Sequence, residues 1–341
     1  MNIRKRPRII IAYTCGVLAI TGAVTSPGFA AAAPSNGVLE HAIQPTERSA
    51  ASAHWTLARM HSAVSARFVD ENPDGGDPPE GRTIRPAGVA TGSPDTTLLS
   101  SDDIPTPTVD PSTPVPGFSP ADHVGVVFFR ANGIDQRCTG NAVVSDSGDV
   151  VSTAGRCVSA TAGKFVTDLA FVPGYNGTAP HGIWPAARVT AQSAWVDNRS
   201  VDDDTAFFEV ERPATGVPAN ATLSSTVGAS GVRFDGQQDD DDYQVTGYST
   251  DTGSDPNKPI SVTSSAEPNP WQNKDYAIEG LEWDARAGVS GSPWVSADAD
   301  PIVDIQAGMT SFAYKQFTHS SFGPQWTATI RDLYRAAAAT A

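Results

Sequence analysis

The 341-residue chain has little cysteine, few basic side chains and almost no long apolar run. Three cysteines are too few for a disulfide-built scaffold or a cysteine-rich zinc site. The 23 Lys and Arg are outnumbered by 38 Asp and Glu, for a formal net charge of −15. That balance argues against capture of nucleic acid or of an anionic membrane surface. Charged residues make up only 18% of the chain, which disfavours a coiled coil or a helical bundle. In their place stand 30 glycines and 27 prolines, a composition suited to strands, turns and extended segments. No internal repeat recurs at a period of roughly 20–50 residues. The length allows about two domains of roughly 150 residues each.

The long apolar run lies at the N-terminus, from Ile9 to about Val24, after Arg4, Lys5, Arg6 and Arg8 and before Ala30–Ala33. Thr14, Gly16, Thr21 and Gly22 interrupt it, so it falls short of the ~20 apolar residues of a membrane span. A basic segment, an apolar segment and small residues are the parts of a secretory signal peptide. Residues 1–33 are therefore expected to leave on export, giving a secreted, extracellular chain without membrane contact. Loss of four positive charges takes the net charge from −15 to −19, and Cys15 is lost as well. Cys138 and Cys157 remain, and in an oxidising compartment they are expected to form a disulfide.

Residues 47–69 are predicted to form one helix, with Trp55, Met60 and Val64 near helical spacing. Between Pro73 and Pro120 eleven prolines fall in 48 residues among Asp, Gly, Ser and Thr. Such a stretch cannot bury a core and should be extended or disordered, a propeptide, a tether or a plain spacer. After Pro120 come short apolar runs broken by Gly, Asn, Asp and Pro: 124–129 (VGVVFF), 142–144, 164–172, 205–210, 243–248, 292–295 and 301–305 (PIVDI). These predict an all-β barrel or sandwich. Trp326, Ile330, Leu333 and Tyr334 predict an amphipathic C-terminal helix. The chain thus divides into 1–33 (signal peptide), 34–119 (proline-rich leader) and 120–341, the last long enough for two small barrels at about 120–218 and 219–341.

The sharpest chemical feature is Gly288–Trp294 (GVSGSPW). A serine between glycines on a tight turn can present its hydroxyl while backbone N–H groups converge on one spot, giving a nucleophile and an oxyanion hole together. The same residues also read as a glycine turn leading into a strand. Two further blocks favour the chemistry: Cys138–Val144 (CTGNAVV) with Val151–Val158 (VSTAGRCV), and Asp204–Phe208 (DTAFF). In order, the three blocks resemble those of trypsin-like (chymotrypsin-fold) serine proteases, and look closest to the secreted bacterial branch that includes glutamyl endopeptidases. Residues 171–189, the ending from Met309, and HWTLARMHSAV in the leader are similar to that branch as well. The resemblance covers about 120–341 and implies two six-stranded antiparallel β-barrels with the site between them. It implies Ser290 as nucleophile, Asp204 as triad acid, and an oxyanion hole from the N–H groups of Gly288 and Ser290. It further implies a Cys138–Cys157 disulfide, Ser311–Phe312–Ala313 as the edge that pairs with an extended polypeptide, and a monomer without cofactor.

One departure decides the expected activity. Where the family has histidine, before Cys157, this chain has Arg156. The mechanism needs a group that takes the serine proton near pH 7 and returns it. Arginine has no acceptor atom and a pKa above about 12, so it cannot serve. A guanidinium fork onto Asp204 is expected instead. His123, His181 and His319 lack the neighbours of a substitute base, and a surface role is expected for each. The chain is therefore expected to be inactive or strongly impaired, the alternatives being an active enzyme with another base or a His-containing natural form, and a non-catalytic secreted peptide- or protein-binding module. Many relatives carry a second disulfide before the nucleophile, and here 259–265 and 281–291 have no cysteine. Asp284, six residues before Ser290, stands at the offset of the pocket-floor residue in trypsin-like enzymes, with a solvated or paired carboxylate as the default. The acidic runs 202–204 and 239–242 could suggest calcium, but the first contains Asp204, whose implied role needs no metal, and the second reads as a solvated charged loop, so no metal is expected.

Overall fold

In the computed structural model the described residues are 37–66, 69–70, 95–213, 216–237, 241–268, 277–284, 287–297, 303–314 and 317–339. The expected signal peptide and residues 71–94 of the proline-rich stretch lie outside them. The leader begins with β1 (Val38–Ala42), α1 (Pro45–His54), α2 (Leu57–Ser62), β2 (Val64–Ser65) and β3 (Val69–Asp70). Two short helices thus replace the single one expected over 47–69. Pro45 opens α1, and the Glu47 carboxylate accepts the Gln44 N–H at 2.8 Å. Trp55 ends α1 at φ −80°, ψ 81°, and the Thr56 hydroxyl starts α2 by accepting the Arg59 N–H. Tertiary packing sets this break. Trp55 is buried in one apolar cluster with Val124, Val126, Phe128, Ala170 and Val172, and its indole N–H donates to Asp168 O at 2.5 Å. Within the proline-rich stretch, β4 (Thr96–Leu99) pairs with β1, Ile104 is buried, and Asp146 accepts the Thr108 N–H at 2.8 Å. Residues 95–119 are mainly extended, as their composition suggests, and are tied to the core.

After α3 (Pro120–His123) come β5 (Val124–Ala131), β6 (Ile134–Val143), β7 (Val150–Thr153), α4 (Gly155–Val158), β8 (Thr167–Pro173), β9 (Trp184–Gln192), α5 (Ser193–Asn198) and β10 (Ala206–Val210). The order β10-β7-β6-β5-β8-β9 closes through β9–β10 pairing into a six-stranded barrel, and β1 pairs with Arg188–Gln192 of β9, beyond the Trp184–Pro185 stretch that pairs with β8. The run VGVVFF is apolar throughout because both faces of β5 are covered. Val127 and Phe129 point into the barrel core, whereas Val124, Val126 and Phe128 pack with Trp55, Met60 and Ala63 of the leader.

The second half comprises α6 (Leu223–Val227), β11 (Gly231–Val232), β12 (Asp242–Gly247), β13 (Ile260–Pro268), β14 (Ile278–Glu282), β15 (Pro293–Ser296), β16 (Ile305–Met309), β17 (Ala313–Tyr314), β18 (Ser320–Pro324) and α7 (Ala328–Ala338). Six strands follow the path β16-β15-β12-β13-β14-β18, with β11 parallel to β16. Beyond β16 the chain returns to β18: Phe312 N–H donates to Phe322 O at 3.0 Å and Phe322 N–H to Phe312 O at 2.8 Å. A strand was expected at 301–305, but it begins at Ile305, where Gln306 and Gly308 replace large apolar residues. Val303 of the expected run is 45% exposed, while Gln306 is buried and accepts hydrogen bonds from Asn141 Nδ2 and Ser152 Oγ at 2.9 Å each. Helix α7 packs Ile330, Leu333 and Tyr334 into the first barrel's core, and Tyr334 Oη donates to Val144 O at 2.8 Å. No helix among the described residues is long and apolar enough to cross a membrane.

Because the buried Trp55 packs on the outer face of β5, with its ring 5.1 Å from that of Phe128, Trp55→Ala is expected to lower stability by about 3–5 kcal/mol in urea unfolding. A loss below about 1 kcal/mol would mean that the leader does not unfold together with the barrel.

Candidate active site

Two glycines let the segment 288–292 turn sharply. Gly288 and Gly291 sit at φ +88° and +91°, a region that residues with a Cβ rarely adopt. A Cβ on Gly291 would lie 2.0 Å from the Thr139 carbonyl oxygen, and one on Gly288 2.4 Å from that of Tyr248. Close approach is what fixes the turn. The Thr139 N–H donates to Ser290 O at 2.9 Å, and Thr139 Oγ1 donates to Gly288 O at 3.0 Å. From the other barrel, the Gly291 N–H donates to Thr310 O at 2.7 Å. Ser290, 3% exposed, is thereby held between β6 and the end of β16.

Asp204 follows a 3₁₀ turn and is fully buried. A carboxylate there must be paired, since an isolated charge in a dry interior is driven to neutralise. Arg156, on α4, supplies most of the pairing. Its backbone N–H donates to Asp204 Oδ1 at 2.8 Å, its Nε to Oδ2 at 2.9 Å, and its Nη2 also bonds Oδ2. Ser311 Oγ donates to the same Oδ2 at 2.6 Å and accepts from Arg156 Nη2 at 2.9 Å. The guanidinium carbon lies 5.6 Å from the centroid of the Trp195 ring. Burial pulls Arg156 below its ordinary pKa and Asp204 opposes that pull. Cys157, the next residue, is joined to Cys138 of β6 in a disulfide. Ser290 Oγ donates to the Ser311 carbonyl oxygen at 3.0 Å. That oxygen accepts a hydrogen bond but cannot take up the proton at neutral pH.

Four of the sequence-derived residues, Arg156, Asp204, Ser290 and Ser311, are therefore linked through hydrogen bonds, with Gly288 on the same turn as Ser290. Phe312 and Ala313 follow Ser311 and are buried. Asp284 is not in a pocket floor: its side chain is 79% exposed, with Oδ1 2.5 Å from His319 Nδ1. The preceding Trp283 takes the buried position in the second barrel, so Asp284 points outward. His319 is exposed as expected, but His123 is not. It is buried, with Nδ1 2.8 Å from Asn141 Oδ1 and Nε2 2.9 Å from Asp304 Oδ2. His181 is half-buried in its loop. None of the three bonds Ser290 or Asp204 among the described residues. Of the run 239–242, the described Asp241 and Asp242 bond Arg233 and Ser265, and no cluster of three metal-ligating residues stands among the described residues. Thr139 had no mark in the sequence, because its bond to Gly288 spans 149 residues.

Neither a protein-family model nor a curated protein sequence matches this chain. Solved structures do. Protease Anisep from Arthrobacter nicotinovorans aligns at 30% identity with a TM-score of 0.59, covering 67% of this chain and 99% of its own. The chain belongs to the trypsin-like serine protease family. A thermostable serine protease, AL20, from an extremophilic microorganism aligns at 26% identity with a TM-score of 0.57, covering 64% of this chain and 97% of its own.

In this trypsin-like chain the acid-bearing turn also carries a pH dependence. Asp202 is pushed up to about 7 by burial and by the adjacent Asp203, against one hydrogen bond from the Ala277 N–H. Asp149 is pushed up to about 6, chiefly by burial. From about pH 4 upward the unfolded chain releases protons that these groups still hold when folded, so stability falls as pH rises towards 7. Asp202→Asn is expected to raise the melting temperature at pH 8 and leave it unchanged at pH 3.5. An equal effect at both values would remove Asp202 from this role. Arg156→Ala leaves Asp204 buried without its main partner and is expected to lose about 3–5 kcal/mol in denaturant unfolding.

Proposed function

We propose that this is a secreted member of the serine endopeptidase family in which peptide hydrolysis is lost or strongly impaired while the cleft keeps its capacity to bind extended polypeptide. Ser290 stands in the role of nucleophile, Asp204 in that of triad acid, and the N–H groups of Gly288 and Ser290 in that of oxyanion hole. The observation that carries the reading is the fork of Arg156 on Asp204. The acid's hydrogen bonds, which in a triad would orient a histidine, are taken by a cation that accepts no proton. With no base beside it, the Ser290 hydroxyl donates to the Ser311 carbonyl and remains a weak nucleophile. Loss of a triad member lowers turnover by on the order of 10⁴–10⁶, leaving what the oxyanion hole and binding supply. Backbone pairing along Ser311–Phe312–Ala313 needs no base, so binding survives the change.

The buried pairing of His123 and the surface pairing of His319 with Asp284 give no support to a substitute base. An export signal at 1–33 and a leader at 34–119 ahead of the protease-like region complete the proposal.

Arg156→His should restore activity. The revertant is expected to label with a serine-directed fluorophosphonate and to cleave casein at least 10⁴-fold faster than the parent, both lost again on Ser290→Ala. A parent that labels and cleaves as fast as the revertant would overturn the impaired-enzyme reading. Labelling of neither chain would place the defect in the oxyanion hole or pocket instead.

A further inference from the structure

The leader does not stop at its apolar anchor on β5. Past Met60 and Ala63 it runs beside the residues that hold Ser290. Val64 and Ser65 pair in parallel with Gln136 and Arg137, and the Ala66 N–H donates to Arg137 O at 3.0 Å. Gln136 and Arg137 immediately precede Cys138 and Thr139, the disulfide residue and the clamp on the Ser290 turn. Ser65 Oγ bonds Thr250 Oγ1 and lies 3.1 Å from where a Cβ on Gly288 would be. Farther along, Val69 and Asp70 pair in parallel with Ala313 and Tyr314, the continuation of Ser311–Phe312. The leader thus engages β6 next to Thr139, which bonds Ser290, the face of Gly288 on the Ser290 turn, and β17, two residues past the Ser311 that accepts the Ser290 hydroxyl.

We propose that residues 64–66 and 69–70 are a built-in occupant of the peptide cleft, holding the edges that an incoming polypeptide would use. This rests on the reading of that cleft as a peptide-binding site. Strand addition draws its affinity from main-chain hydrogen bonds, so any extended chain, including the protein's own, can supply them. A tethered strand competes at an effective concentration in the millimolar range for a short flexible link, well above that of a dilute free peptide. Here the tether is shorter still, because Trp55, Met60 and Ala63 are buried just before the paired segment. The ligand class follows from the contact at Gly288. A displacing strand must be extended and must place a small side chain, as Ser65 does, against that glycine.

The test is calorimetric titration of the full chain and of Ala66→Pro, which removes the N–H that bonds Arg137 O. The probes are reduced β-casein and the synthetic peptide SAVSARFVDE, the sequence of residues 62–71. Both probes are expected to bind Ala66→Pro at least tenfold more tightly than the parent. Equal casein affinity for the two chains would overturn the occupant while leaving the peptide cleft standing. Binding of casein to neither chain would overturn the cleft reading, and the competition with it. If Ala66→Pro does not fold by near-ultraviolet circular dichroism, Ser65→Gly combined with Thr250→Ala carries the same expectation. Hydrogen exchange of the parent is an independent check. The Ala66 amide should be protected, and exchange at the rate of an unfolded peptide would sink the proposal.

Discussion

The site is organised by a carboxylate that has no access to water. Asp204 is fully buried, so its charge has to be met by donors within the protein, and every donor that meets it constrains something else. Arg156 is drawn in by both its backbone and its guanidinium, which fixes α4 and the disulfide residue beside it. Ser311 Oγ completes the shell, which fixes the chain after β16, and its carbonyl then receives the Ser290 hydroxyl. One buried charge thereby links the two barrels through a short chain of hydrogen bonds. Arg156 and Ser311 together satisfy that charge, which explains how the fold accommodates an arginine at this position.

Covering β5 is the second organising constraint. A barrel strand that is apolar on both faces needs material on the outside, and the leader provides it through Trp55, Met60 and Ala63. Strand β1 extends the same barrel at β9, with β4 added beyond it. The leader is thus packed as core, not laid over a finished surface. Its onward path, along Gln136 and Arg137 of β6, starts where this anchoring ends.

Much of the fold was legible in the chain. The runs at 124–129, 205–210 and 243–248 fall within β5, β10 and β12 with little displacement, because each is bounded by residues that end a strand. The C-terminal helix followed from its spacing. Other elements were not legible, for identifiable reasons. The helix over 47–69 breaks at Trp55 because an indole pocket on the barrel outweighs helical propensity. Strand β16 lacks an apolar signature because Gln306 is satisfied by Asn141 and Ser152 in the interior. His123 is buried because Asn141 and Asp304 wait for it, and Asp284 faces water because Trp283 takes the inward position.

What the sequence determined by itself is chemical identity. A guanidinium at 156 has no acceptor atom, a serine at 290 lies close to glycines at 288 and 291, and cysteines stand at 138 and 157; these are properties of single side chains and of their immediate neighbours. The tertiary structure decided which groups meet. Arg156 reaches Asp204 across 48 residues, and Ser311 reaches it across 107. The leader's Ser65 comes to lie against Gly288. Such pairings depend on how the closed barrel and the second sheet stack and on what covers their outer faces, and only the folded chain sets those distances.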